Sequence, residues 1–179
     1  ANAKKLTDAG AMLIYNTSLS ATFPATIAEA KRVNIPAIFA VVAPDEALPP
    51  TPDPLIFSLG ARYATPTTSV MPFIAQSLAA KYTTGPVKLA VLGTELPVSK
   101  KNVDNIVAQN TRFGIQTMGK VVPVGSTDVS AVALAFKDFG TNWMHSAAPG
   151  PVGQMLYDNL VKIGQKSNFI LFYFKAGKF

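Results

Sequence analysis

Short apolar runs, each closed by a polar or Gly/Pro turn and followed by a stretch of helical period, recur along the whole 179-residue chain. A run of four to six apolar residues suits a strand buried on both faces, whereas spacing of three and four suits a helix with one buried stripe. Alternation of the two predicts an α/β chain whose parallel sheets are flanked by helices. Strands are expected over 12–15, 37–42, 87–92, 119–124, 142–146 and 169–174, with a short extended piece at 55–58. Helices are expected over 3–9, 23–33, 100–113, 128–139 and 152–164, and Val70, Phe73, Ile74, Leu78 and Tyr82 fall at helical spacing between them. Thr22 is placed to cap the second of these, and Thr127 or Asp128 the one that ends near Phe139. The loop 43–54 carries five prolines and is irregular. The turn Thr83-Thr84-Gly85-Pro86 marks a crossover, so residues 1–85 form part of one lobe and 86–179 part of a second.

Composition narrows the function classes. Apolar residues make up 49% and charged residues 15%, which fits a packed core rather than a disordered chain. No apolar run approaches the ~20 residues that span a bilayer, so no direct membrane insertion is expected. The N-terminus lacks the charged-then-apolar layout of a signal peptide, as a chain whose leader has been removed would. The net charge of +6 comes from scattered cations, with Lys4-Lys5, Lys31-Arg32 and Lys100-Lys101 the only adjacent pairs, so a nucleic-acid partner is not expected. Without cysteine there is no disulfide or thiolate site. His145 is the single histidine, which removes any paired-histidine metal site. A serine hydrolase would have to use it, yet no G-x-S-x-G elbow is present. Neither G-x-G-x-x-G nor G-x-x-x-x-G-K-[ST] occurs, and no cofactor is expected. Binding without catalysis is the reading these absences favour.

In an open parallel sheet, ligands bind beyond the carboxyl ends of the strands. Those ends present Asn16 to Ser20, Val41 to Pro44, Gly93 to Pro97, Gly125 to Thr127 and His145 to Pro149. The loop Asn16-Thr17-Ser18-Leu19-Ser20 precedes a helix N-terminus, where free amides and the macrodipole favour an anion. It serves either as a carboxylate cradle or as ordinary helix capping, and the residues alone leave both open. Glu95 is placed to meet a ligand amine or hydroxyl, or to be a solvated loop carboxylate. Trp143 sits in an apolar strand and is expected in the core.

Several stretches resemble a known family. Gly10-Ala-Met-Leu-Ile-Tyr-Asn-Thr-Ser-Leu-Ser20, Ile27-Ala28-Glu29, Asn34-Ile35-Pro36-Ala37-Ile38 and Pro54-Leu55-Ile56-Phe57 look like the first lobe of type 1 periplasmic solute-binding proteins of ABC transporters, the branched-chain amino acid (Leu/Ile/Val-binding) receptors. Val87 to Leu92 resembles the strand opening their second lobe, and Gly125-Ser126-Thr127-Asp128-Val129-Ser130 their Gly-x-Thr-Asp-Phe-Ser turn. The resemblance implies two Rossmann-like lobes of the type 1 periplasmic-binding fold, closing on a small-molecule ligand and delivering it to a membrane permease driven by an ATPase. It implies a periplasmic or other extracytoplasmic location. It also implies a chain truncated at both ends, in keeping with a C-terminus that follows directly on an apolar strand.

Carried over residue by residue, the resemblance assigns ligand contacts to Asn16, Thr17, Ser18 and Ser20 at an anionic end. Val41, Ala43 and Ala147 become apolar wall, with Glu95 and His145 contributing from the second lobe. Val41, Val42 and Ala43 replace the hydroxyls that the family offers to an amino acid, and Leu96-Pro97-Val98 replaces a tyrosine. An ammonium group enclosed without acceptors is costly, so these departures favour an apolar or aromatic acid over an amino acid. A sensor or regulatory receptor of the same fold is the alternative, and a Rossmann-like enzyme the third reading.

Overall fold

A computed structural model describes residues 2–17, 20–40, 44–48, 50–60, 72–148, 151–165 and 168–171. The chain divides into two compact units, residues 1–65 and 66–179.

The first unit holds three parallel strands in the order β1-β2-β3: Ile14–Asn16, Ala37–Phe39 and Ile56–Ser58. Helix α1 (Asn2–Asp8) precedes β1, and α2 (Phe23–Val33) connects β1 to β2. Alternation along the strands puts Ile14, Ala37, Phe39 and Ile56 on one face, where they are buried with Phe23, Ile27 and Ala30 of α2. Phe23 meets Phe39 edge to face with ring centroids 4.7 Å apart. Tyr15 and Phe57, on the opposite face, are exposed. Helix α2 ends at Asn34, whose left-handed φ of 56° returns its N–H to the last carbonyls.

The second unit holds four parallel strands in the order β5-β4-β6-β7: β4 Lys88–Thr94, β5 Gln116–Val122, β6 Trp143–Ser146 and β7 Asn168–Leu171. A π-helical segment Ile74–Ala79 runs into the short helix α3 (Ala80–Tyr82). It belongs to this unit, ahead of the crossover expected near Gly85, and Ile74 packs against the core under α4. Three longer helices follow, α4 (Pro97–Arg112), α5 (Ser130–Asp138) and α6 (Val152–Lys162).

Two apolar layers sandwich this sheet. Leu89, Val91 and Ala147 face Val103 and Ile106 of α4. Ala90, Leu92, Val122, Met144 and Ala148 face Val129, Ala133 and Phe136 beside α5 and Val152, Leu156 and Leu160 of α6. Helix α4 approaches closely because two glycines make room for it. A Cβ on Gly93 would lie 2.5 Å from one methyl of Val103, and one on Gly119 would lie 2.6 Å from the other.

Several expected boundaries shift for physical reasons. Helix α4 begins at Pro97 rather than at 100, because proline in the first turn has no N–H to lose and a φ already suited to a helix. Strand β5 begins at Gln116 rather than at 119, because as an edge strand it tolerates polar, part-exposed residues. Thr22 stands at the N-cap of α2 without making a side-chain capping bond.

Candidate functional site

In the second unit, β4 connects through α4 to β5 on one side of the sheet, while β6 connects through α6 to β7 on the other. Neighbouring strands whose connections leave in opposite directions define a topological switch point, and the crevice beyond their carboxyl ends is where such sheets bind ligands. Here it falls between the ends of β4 and β6, at Thr94 and Ser146.

The α4 side of this crevice is tied shut by one hydroxyl. Ser99 Oγ accepts from the backbone N–H of Thr94 at 2.8 Å and donates to the carbonyl of Ala147 at 2.7 Å. The N–H of Ala147 donates to Leu92 O at 2.7 Å. Ala147, expected to wall the ligand, is therefore held in the sheet margin and almost wholly buried. His145 lies on the same face as Trp143 and Ala147, fully buried within β6 between Val91 and Ile170. It is part of the sheet interior and not of a strand-end loop. Trp143 is half-buried, with its indole N–H donated to Thr83 Oγ1.

On the opposite face, the hydroxyls of Thr94 and Ser146 are buried and find no hydrogen-bond partner among the described residues. Sequence reading did not single them out, nor Ser99. Only the strand order brings 94 and 146 to neighbouring strand ends, where Ser146 pairs with Leu92, two residues before Thr94.

Glu95, immediately after β4, is exposed, and its backbone N–H donates to Val122 O at 3.0 Å. In the turn at Gly125, whose φ is +81°, Asp128 accepts from the N–H of Ser130 at 2.8 Å. That bond, reinforced by the Ser130 hydroxyl, holds the Asp128 carboxyl below the usual carboxylate range. Asp128 thus braces the start of α5, although the N-cap is Val129 and not Thr127 or Asp128 as expected, and no side chain makes a capping bond there.

In the first unit, Asn16 closes β1 with its side chain turned inward. Its amide nitrogen donates to Thr26 Oγ1 at 2.7 Å and reaches Thr22 Oγ1 at 3.3 Å. The amide therefore fastens β1 to α2. Thr17 is exposed, and Ser20 is half-buried at the head of a 3-10 turn, Ser20–Thr22, that leads into α2. Ser18, Val41, Val42 and Ala43 lie outside the described residues. At the end of β3, Ser58 Oγ lies 3.0 Å from Gly60 O and 3.4 Å from Phe39 O.

Away from the strand ends, charge serves the scaffold. Glu29 is gripped by Arg32, which donates to it through Nε at 2.9 Å and through Nη2, and by the Thr7 hydroxyl, joining α1 to α2. These bonds lower its pKa to about 2, Arg32 contributing most. Lys31 pairs with Asp53 at 2.8 Å. Among the described residues no three His, Cys, Asp or Glu side chains are grouped to hold a metal ion, and no helix is long and apolar enough to cross a membrane.

A family profile described as periplasmic binding protein matches residues 1–173. Among solved structures, a leucine-binding protein LivK from Thermotoga maritima MSB8 superposes with a TM-score of 0.81 at 15% identity, over 94% of this chain and 47% of its own. An extracellular ligand-binding receptor from Rhodopseudomonas palustris HaA2 gives 0.80 at 15% identity, over 95% and 46%. A leucine-, isoleucine-, valine-, threonine- and alanine-binding protein from Brucella ovis gives 0.74 at 14%, over 95% and 45%. The chain therefore spans about half the length of each of these structures. No curated protein matches the sequence.

Proposed function

The chain belongs to the periplasmic binding protein family, and from that premise we propose that it serves as the extracytoplasmic solute-binding component of an ABC importer. Its relatives are ligand-binding receptors rather than enzymes. The ligand is a small carboxylate-bearing molecule, an apolar or aromatic acid in preference to an amino acid. Its partner is the importer's membrane permease.

One observation carries the choice of ligand. In the two positions that follow each strand's last residue, Glu95 is the only charged side chain among the described residues; the rest are hydroxyl-bearing, apolar or glycine. Neutral donors suit a carboxylate, which only accepts hydrogen bonds. An amino acid brings an ammonium group as well, and that group needs acceptors which Val41, Val42 and Ala43 cannot supply from their side chains. The first-lobe contacts are assigned to Thr17, Ser18 and Ser20, next to the N-terminus of α2, with Val41 and Ala43 as apolar wall and Glu95 from the second lobe.

A thermal-shift screen of the full-length protein tests this reading, because a ligand that binds only the folded state raises Tm with concentration. Monocarboxylates such as benzoate are expected to raise Tm while their uncharged amides do not. A screen in which free amino acids raise it and carboxylates lacking the ammonium do not would overturn the choice.

A further inference from the structure

The solute-binding reading assigns the anionic end of the ligand to the first lobe; the strongest unexplained chemistry lies in the second. Thr94 is 1% exposed and Ser146 3% exposed, and neither hydroxyl has a hydrogen-bond partner among the described residues. Buried hydroxyls are ordinarily satisfied, because leaving one unpaired forfeits its hydration for nothing. Two such groups on one face, at the carboxyl ends of neighbouring strands, mark a place built for an acceptor.

What they face strengthens the case. By alternation both residues point to the α5 and α6 side, with Leu92, Met144 and Ala148. Ser146 Oγ is aimed at the first turn of α6: a Cβ on Gly153 would lie 2.6 Å from it. Helix α6 has 11 residues, Pro151 at its N-cap makes no side-chain cap, and the N–H of Met155 donates to Pro151 O. The amides of its first turn, Val152, Gly153 and Gln154, stand at the positive end of the helix dipole, which attracts negative charge. The location is also the switch point between β4 and β6.

We infer that Thr94 Oγ1, Ser146 Oγ and the first-turn amides of α6 form a carboxylate subsite of the second lobe. The hydroxyls donate to the carboxylate oxygens, the Gly153 and Gln154 amides complete the shell, and the absence of a side chain at Gly153 lets Ser146 Oγ come close to the first turn of α6. Ser99 holds the opposite side of the crevice closed, which fixes the spacing of the two strand ends while the ligand is exchanged. The inference rests on the solute-binding reading but moves the carboxylate from Thr17, Ser18 and Ser20 of the first lobe to named donors of the second.

The test is amide NMR of the full-length protein titrated with sodium benzoate, with benzamide as the uncharged match. Saturable shifts are expected at Thr94, Ser146, Gly153 and Gln154 with benzoate, and much weaker ones with benzamide. Thr94→Val and Ser146→Ala are each expected to weaken benzoate binding roughly tenfold, as loss of one hydrogen bond to a charged group does, while Thr94→Ser retains it. Benzoate shifts confined to Thr17 and Ser20 would overturn the subsite and leave solute binding standing. Wild-type affinity in the Thr94→Val/Ser146→Ala protein would overturn it too, the hydroxyls then serving a buried water only. Saturable shifts nowhere in the protein, with benzoate or with amino acids, would overturn the subsite together with the binding function. Should the double variant fail to fold, the wild-type titration and Thr94→Ser still decide.

Discussion

The Ser99 hydroxyl donates to the carbonyl of Ala147 at 2.7 Å, joining the first turn of α4 to the residue that follows β6. Because the same oxygen accepts from Thr94 N–H, one side chain fixes the ends of both strands that border the switch point. Ser99→Ala leaves a buried N–H and a buried carbonyl each short of a partner, a loss of about 2–3 kcal/mol. Urea unfolding reads this as a lower midpoint at unchanged slope. An unchanged midpoint would mean that the bridge contributes nothing to the fold.

Val103 packs between two glycines of neighbouring strands. Gly93→Ala would put a methyl 2.5 Å from Val103 Cγ2 and is expected to destabilise by about 1–3 kcal/mol. Combined with Val103→Ala, which removes the obstructing methyl, the cost should be less than the sum of the two single changes. Strict additivity in a double-mutant cycle would contradict the packing described for α4.

Glu29 predicts a specific acid limb. Its pKa is lowered from 4.5 to about 2 by Arg32 and Thr7, so the folded state binds its proton less readily than the unfolded chain. The stabilisation is therefore fully present above pH 4.5 and is lost as pH falls from 4.5 toward 2. Glu29→Gln has no such group, so its Tm should lie below wild type at neutral pH and the difference should narrow through that window. A constant difference from pH 7 to pH 2 would show that Glu29 does not titrate with folding.

The layered architecture was legible in the sequence because parallel strands buried on both faces read as apolar runs, as Leu89 to Leu92 do, and because Gly114, Gly140 and Gly164 punctuate the ends of helices with positive φ. Edge strand β5 was only half legible, since Gln116, Thr117 and Lys120 carry no apolar signal. The site was less legible than the fold. Asn16 stands in the loop that resembles a ligand cradle, yet its amide is spent on Thr22 and Thr26, a choice made by the side chain's rotamer. His145 sits at a strand end by number, but alternation turns it into the sheet interior. Thr94 and Ser146 are 52 residues apart, and nothing short of the β5-β4-β6-β7 order brings them together. The weak local signal was a hydroxyl ending each of two apolar strands.

The central claim is that this protein holds a carboxylate without needing an ammonium partner. Calorimetric titration of the full-length protein with benzoate, leucine and glutamate under one buffer condition tests it most directly. Saturable heat with benzoate, and leucine and glutamate weaker by at least roughly tenfold, is the predicted result, a gap of about 1.4 kcal/mol. Tight leucine or glutamate binding, with benzoate inert, would contradict the account.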